Sequence, residues 1–121
     1  MPTSIAHEKG NVYRVEMSGA LRKPDLDRVQ AALAADIHRL GTVRLLIVLR
    51  GFEGWASDPN WNDLTFYATH GTSIARIAIV GEERWRHQAL MFSAAGLRAA
   101  PVEFFTLDAL ETARGWLSEE E

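Results

Sequence analysis

The sequence predicts an α/β domain in which a mixed sheet is flanked by helices, and three observations carry that prediction. The stretch Thr42 to Trp55, TVRLLIVLRGFEGW, contains an apolar run too short for a membrane span and too uniformly apolar for a strand with one wet face. It reads as a central strand covered on both sides and ending at Arg50-Gly51, where the chain must turn. Helical stripes and short apolar runs then alternate along the chain, the pattern of β-α units around a parallel sheet. Ahead of them the turn pair Gly10-Asn11 separates two extended segments, which places a hairpin at the start. The expected order is β-β-α-β-α-β-α-β-α, five strands in a mixed sheet with four helices on both faces, in one domain over residues 1–121.

Each element has its own warrant. Ser4 to Glu8 and Asn11 to Met17 form the hairpin, and Tyr13, Val15 and Met17 alternate with Val12, Arg14 and Glu16, giving one covered and one wetter face. Ser18-Gly19 is expected to end the second strand. Pro24 opens a helix, where its missing N–H costs nothing, and Asp25 and Asp27 suit the positive end of the helix dipole. Leu26, Val29, Leu33, Ile37 and Leu40 step by three or four along one face, and Gly41 stops the helix. After the central strand and a loop over 51–57, Asp58-Pro59 starts a second helix with Trp61, Leu64, Thr65 and Ala68 on one face, ended by Gly71. Arg76 to Val80 is a buried strand. A helix over roughly 83–95 turns Trp85, Ala89, Phe92 and Met91 inward and stops at Gly96. Val102 to Phe105, preceded by Pro101, is an edge strand. Asp108 and Glu111 form a D-x-x-E cap for a last helix that buries Leu110, Ala113 and Leu117.

Composition excludes several function classes. A chain of 121 residues, 47% hydrophobic and 24% charged, is an ordinary globular sequence that needs no disulfide or metal to fold. A formal net charge of −3 argues against nucleic acid as a partner, because phosphate binding needs a basic face. The absence of cysteine removes disulfides, thiolate catalysis and thiolate metal sites, and it fits a reducing, cytoplasmic setting. MPTSIAHEKG lacks the apolar core of a signal peptide, and no segment is long enough for stable membrane insertion. His7, His38, His70 and His87 fall on four different elements with no H-E-x-x-H spacing, so neither a metal nor any other cofactor is expected. No G-x-S-x-G elbow, phosphate-binding loop or G-x-G-x-x-G is present, and no pair of titratable groups is placed by motif for acid-base work, so the chain is not expected to be an enzyme.

The candidate site is aromatic. Phe52 and Trp55 fall just beyond the carboxyl end of the central strand, where open α/β sheets place their ligands. Large apolar side chains in the expected loop need a reason to be there. If that loop and helix 83–95 enclose a cleft, Phe52, Trp55, Trp61, Trp85 and Met91 line an apolar pocket for an acyl chain or similar molecule. The segment Glu83 to Phe92 also reads as an amphipathic helix with a basic start, suited to a partner protein, a lipid surface or a second copy of the chain.

The blocks GNVYRVEMSGAL, GTVRLLIVLRGFEGW, IARIAIVGEERW and VEFFTLDALETARGWL, in that order over nearly the whole chain, resemble the SpoIIAA-like family of small bacterial proteins, also described as STAS/SEC14-like. The resemblance implies a STAS-type fold of five strands and four helices, often likened to the lipid-carrying SEC14 (CRAL-TRIO) architecture. It brings a fold and little chemistry. More distantly, the chain is similar to anti-sigma-factor antagonists, in which a phosphorylated Ser or Thr in a D-S-S-G-like motif opens the helix after the central strand. Here the stretch reads Gly51-Phe52-Glu53-Gly54-Trp55-Ala56-Ser57-Asp58 and departs from that motif. Ser57 is the hydroxyl near the place, and a phosphate on it would be repelled by Asp58 and Glu53.

The function expected from these readings is a non-enzymatic cytoplasmic binding or regulatory module with an apolar cleft for a lipophilic small molecule or a partner protein. The alternative is a regulator of the anti-sigma-antagonist type that engages a kinase-like partner and is switched at Ser57.

Overall fold

Turn chemistry at Gly10-Asn11 folds the start of the chain back on itself in the computed structural model, which describes residues 3–58, 73–92 and 101–119. Strand β1 (Thr3–Lys9) pairs antiparallel with β2 (Val12–Leu21). Helix α1 (Lys23–Leu40) leads to β3 (Val43–Trp55), and β4 is Ile74–Gly81. A single 3-10 turn, Glu83–Trp85, runs into α2 (Arg86–Phe92); β5 (Val102–Thr106) follows, then a 3-10 turn at Leu107–Ala109 and α3 (Leu110–Leu117). The five strands lie in sequence order, with β2 through β5 mutually parallel, so the sheet is mixed as expected.

The central strand is covered on both faces. Tyr13, Val15 and Met17 of β2, Leu45 and Leu49 of β3, and Ile77 and Ile79 of β4 face one layer, which holds Val29, Leu33 and Ile37 of α1 and Ala89 of α2. Leu46, Val48, Ala78 and Val80 face the other, against Ala113 and Leu117 of α3. The two crossover helices among the described residues, α1 and α2, lie on the same face, as crossovers of one hand stepping the same way across a sheet require. Three α-helices are present among the described residues. The fourth expected helix, opening at Asp58-Pro59 and carrying Trp61 and Leu64, lies outside them, as does His70.

Several expectations are corrected. The loop over 51–57 is strand as far as Trp55, and β2 continues past Ser18-Gly19 to Leu21. Leu40, expected on the buried stripe of α1, is 41% exposed at the last position of the helix. The D-x-x-E cap does not form. A 3-10 turn precedes α3, so Asp108 instead accepts the Thr106 hydroxyl at 2.5 Å and Glu111 pairs with Arg114.

Candidate functional site

The extension of β3 is built by two glycines. Opposite β2 the register runs Met17 to Leu49, Gly19 to Phe52 and Leu21 to Trp55, so β3 advances three residues for every two on its partner. Each step is a bulge, and each extra residue needs somewhere to bend. Gly51 and Gly54 supply it at φ 65° and 97°, a region L side chains rarely adopt. In an unbroken strand Leu49 and Phe52 would point to opposite faces. The bulges turn a three-residue spacing into a same-face row, so Leu49, Phe52 and Trp55 all join the layer on the α1/α2 side.

That row meets the segment after β4. Phe52 is buried at 1% exposure, and its ring stands edge-on to Trp55 (centroids 5.2 Å apart, 87°) and to Trp85 (5.1 Å, 77°). Trp55 and Trp85 are themselves edge-to-face at 6.1 Å, and Trp55 leans on Phe92 at 5.2 Å. These are the offset and T-shaped arrangements that the ring quadrupole favours. Gly54 has a second role here, since a Cβ on it would come within 3.3 Å of Trp85 Cη2. The benzo edge of Trp85 rests on bare backbone.

Between the row and α2 a cavity of about 40 Å³ remains open. Its walls are Met17, Leu21, Leu49, Phe52, Trp55 and Phe92, with Ile79 and Ala89 beneath. Burial grades from Phe52, fully enclosed, through half-buried Trp55 to Phe92 at 43% exposure, so the cleft opens at the Phe92 end of α2. No titratable side chain lines it among the described residues. The indole N–H groups of Trp55 and Trp85 are shut off from solvent, and neither finds an acceptor among the described residues.

The charges nearby are paired. Arg86 binds Glu83 through two hydrogen bonds of 2.5 and 3.0 Å, which hold the Glu83 carboxyl below its usual range, and its guanidinium lies 4.9 Å from the Phe104 ring. The Arg84 guanidinium lies 4.9 Å above Trp85, with its Nη2 3.5 Å from a Glu82 carboxylate oxygen. The basic start of the Glu83–Phe92 segment is therefore paired with Glu83 and with Glu82 just ahead of it.

Of the residues singled out from sequence, Phe52, Trp55 and Trp85 come together in one cluster, but only Phe52 and Trp55 line the cavity; Trp85, expected there, packs against their rings without reaching it. Trp61 lies outside the described residues. Met91 does not face the cleft: it is 67% exposed, because Ala89 and Phe92, three apart, form the inward face of α2 and Met91 is turned away from it. Phe92 takes its place. Met17, Leu21 and Leu49 complete the site and were legible only as core positions. Ser57 is exposed beside Asp58, whose carboxylate is engaged by Arg22 and by the Lys23 N–H. His7, His38 and His87 stand on β1, α1 and α2, and no group of three His, Asp or Glu side chains among the described residues is placed to hold a metal ion. No described helix is long and apolar enough to cross a membrane.

A family model described as SpoIIAA-like matches residues 12–118. No curated protein matches the chain. Among solved structures it is similar to an uncharacterized protein from the DUF3478 family, with a SpoIIAA-like fold, from Shewanella loihica PV-4. The two are 21% identical, the match covers 95% of this chain and 91% of the other, and the TM-score is 0.72. At that identity the likeness is one of fold.

Proposed function

The chain belongs to the SpoIIAA-like family, and we propose that it is a binding module without catalytic chemistry, whose cleft between the carboxyl end of β3 and α2 takes a small lipophilic molecule. The observation that carries this reading is the aromatic row itself. Two glycine bulges bring Phe52 and Trp55 onto the face of Leu49, yet the space they border is left open rather than packed shut. Cores close to crystal-like density, so an unfilled apolar space beside three large rings is a feature to explain. The address at the carboxyl end of a parallel strand is the one where α/β sheets carry ligands. An all-apolar lining favours a lipophile over a sugar, nucleotide or metabolite acid.

Native mass spectrometry of the gently purified protein tests the reading. The expected result is extra non-covalent mass that denaturing extraction recovers as one class of lipophile, with Trp55→Ala lowering occupancy while the protein stays folded. A clean apo mass from several preparations, with Trp55→Ala indistinguishable from the parent, overturns it and turns attention to protein contacts.

A further inference from the structure

We propose that this cleft recognises the free end of one straight alkyl chain and leaves the ligand's head group outside in water. The inference rests on the lipophile reading above and adds which part of the molecule is bound. No polar atom faces the cavity among the described residues. A hydroxyl, ester or charged head drawn inside would lose its water and find no hydrogen-bond partner. Hydrocarbon is what such a surface holds.

The dimensions select a chain end. An engineered cavity of roughly 150 Å³ admits benzene, and this one, at about 40 Å³, has only about a quarter of that space. The last carbons of a straight chain fit there with small movements of Phe92, whereas a ring or a tert-butyl end does not. Burial sets the direction of entry. Phe52 at 1% and Ala89 at 4% exposure close the inner side, while Phe92 at 43% marks the mouth, so the chain enters methyl first. Arg84 and Arg86, the cations on the segment that carries Phe92, are already paired with Glu82 and Glu83, so neither draws an anionic head to the mouth. Molecules that share a straight end therefore bind alike, whatever head they carry.

Three series of straight-chain probes test this on the full-length, delipidated chain: 1-alkanols, alkanoates and alkyltrimethylammonium ions, each kept below its micelle-forming concentration. Affinity is expected to rise about fourfold for each added methylene, the value of one buried CH₂. It should then level off at the same chain length in all three series, once the slot is full. Saturation-transfer NMR reads the orientation, with the terminal methyl expected to be the most strongly saturated and the head the least. An alkanol with a tert-butyl end should bind about tenfold more weakly than its straight isomer, the cost of overpacking a small apolar site. Ala89→Val adds bulk to the cavity wall and should move the levelling-off to a shorter chain; the length series on the parent decides the matter even if this variant unfolds. Affinity that follows the head rather than the tail, or saturation strongest at the head, overturns the chain-end assignment and leaves a lipophile-binding cleft standing. Failure of all three series to bind removes both this inference and the lipophile reading beneath it.

Discussion

The carboxylate of Asp58 accepts the backbone N–H of Lys23 at 2.9 Å across 35 residues of sequence. The same group clasps the Arg22 guanidinium with hydrogen bonds of 2.8 and 3.1 Å. Helix α1 has Arg22 at its N-cap, a residue whose side chain makes no capping bond, so the orphan donor of the first turn is satisfied from another part of the chain. Just before Asp58, the Ala56 N–H bonds to the Leu21 carbonyl at 2.8 Å. These contacts tie the segment leaving Trp55 to the segment joining β2 and α1, and so fix the open end of the aromatic row.

Loss of that clasp should be visible as a pH-dependent stability difference. The hydrogen bond from Arg22, then the one from the Lys23 amide, hold the Asp58 carboxyl below its usual range. A carboxylate lowered on folding contributes stability above its unfolded pKa, about 3.9, and loses it as pH falls through the folded value. Asp58→Asn should therefore lower Tm by several degrees at pH 7, and the gap from the parent should close as the pH is taken below 4. Thermal unfolding followed by circular dichroism across that range checks it. A gap that stays constant down to pH 2 would mean that the charge contributes nothing.

The two bulge glycines should differ in cost. Gly51 sits at φ 65° with open space where a Cβ would go, so Gly51→Ala carries only the backbone penalty of about 1–2 kcal/mol. Gly54, at φ 97°, adds a 3.3 Å contact with Trp85. Gly54→Ala should be the more destabilising of the pair and should shift the tryptophan emission, because Trp85 must leave its place. Chemical denaturation with fluorescence detection compares them directly. Equal penalties and unchanged emission would contradict the packing of Trp85 on Gly54.

These glycines also explain what the sequence revealed and what it hid. The alternation of Tyr13, Val15 and Met17 and the stripe of Val29, Leu33 and Ile37 report burial directly, because each repeats the period of its own element. The row Leu49, Phe52, Trp55 has a period of three, which belongs neither to a strand nor to a helix. With glycines among those residues it reads as a loop, and the aromatic site looked loop-borne for that reason. The usable signal was Gly51-x-x-Gly54 offset against Leu49-x-x-Phe52-x-x-Trp55, a pair of bulges at the spacing of the apolar residues. Met91 is hidden for a simpler reason: Leu90, Met91 and Phe92 are consecutive apolar residues, and three neighbours on a helix cannot all face inward, so the run does not show which of them is turned away.

On the opposite layer, α3 is held at its carboxyl end by two arginines from the sheet. Arg44 donates to the carbonyls of Leu117 at 2.6 Å and Glu119 at 2.8 Å, and Arg76 to that of Trp116 at 2.7 Å while stacking on its ring. The Leu117 carbonyl is one that a helix leaves unpaired at its end, that of Trp116 also accepts the Glu119 N–H at 3.2 Å, and cations suit the negative end of the helix dipole. Arg44→Met keeps the stem and removes the donors, and it should cost about 1–3 kcal/mol in urea denaturation. Because the change lies on the far face of the sheet, probe binding in the aromatic cleft should be unaffected. A variant as stable as the parent would show that water replaces the guanidinium without loss.

Along the cleft itself, stability and binding should separate according to burial. Phe52 is 1% exposed and touches both tryptophans, so Phe52→Ala removes a fully enclosed ring and should cost about 3–5 kcal/mol. Its effect on binding is then inseparable from unfolding. Phe92, 43% exposed and in contact with Trp55, gives up far less packing when cut to alanine, yet it forms the wall at the open end. Phe92→Ala should leave the fold within about 1 kcal/mol of the parent, near the centre of the range for point substitutions. It should also widen the slot enough to admit branched or cyclic lipophiles that the parent excludes. Met91, at 67% exposure, is the internal control: Met91→Ala should stay within about 0.5 kcal/mol and change neither the affinity nor the shape preference. Binding changes at Met91 that match those at Phe92 would place the ligand on the outer surface of α2 instead of in the cleft.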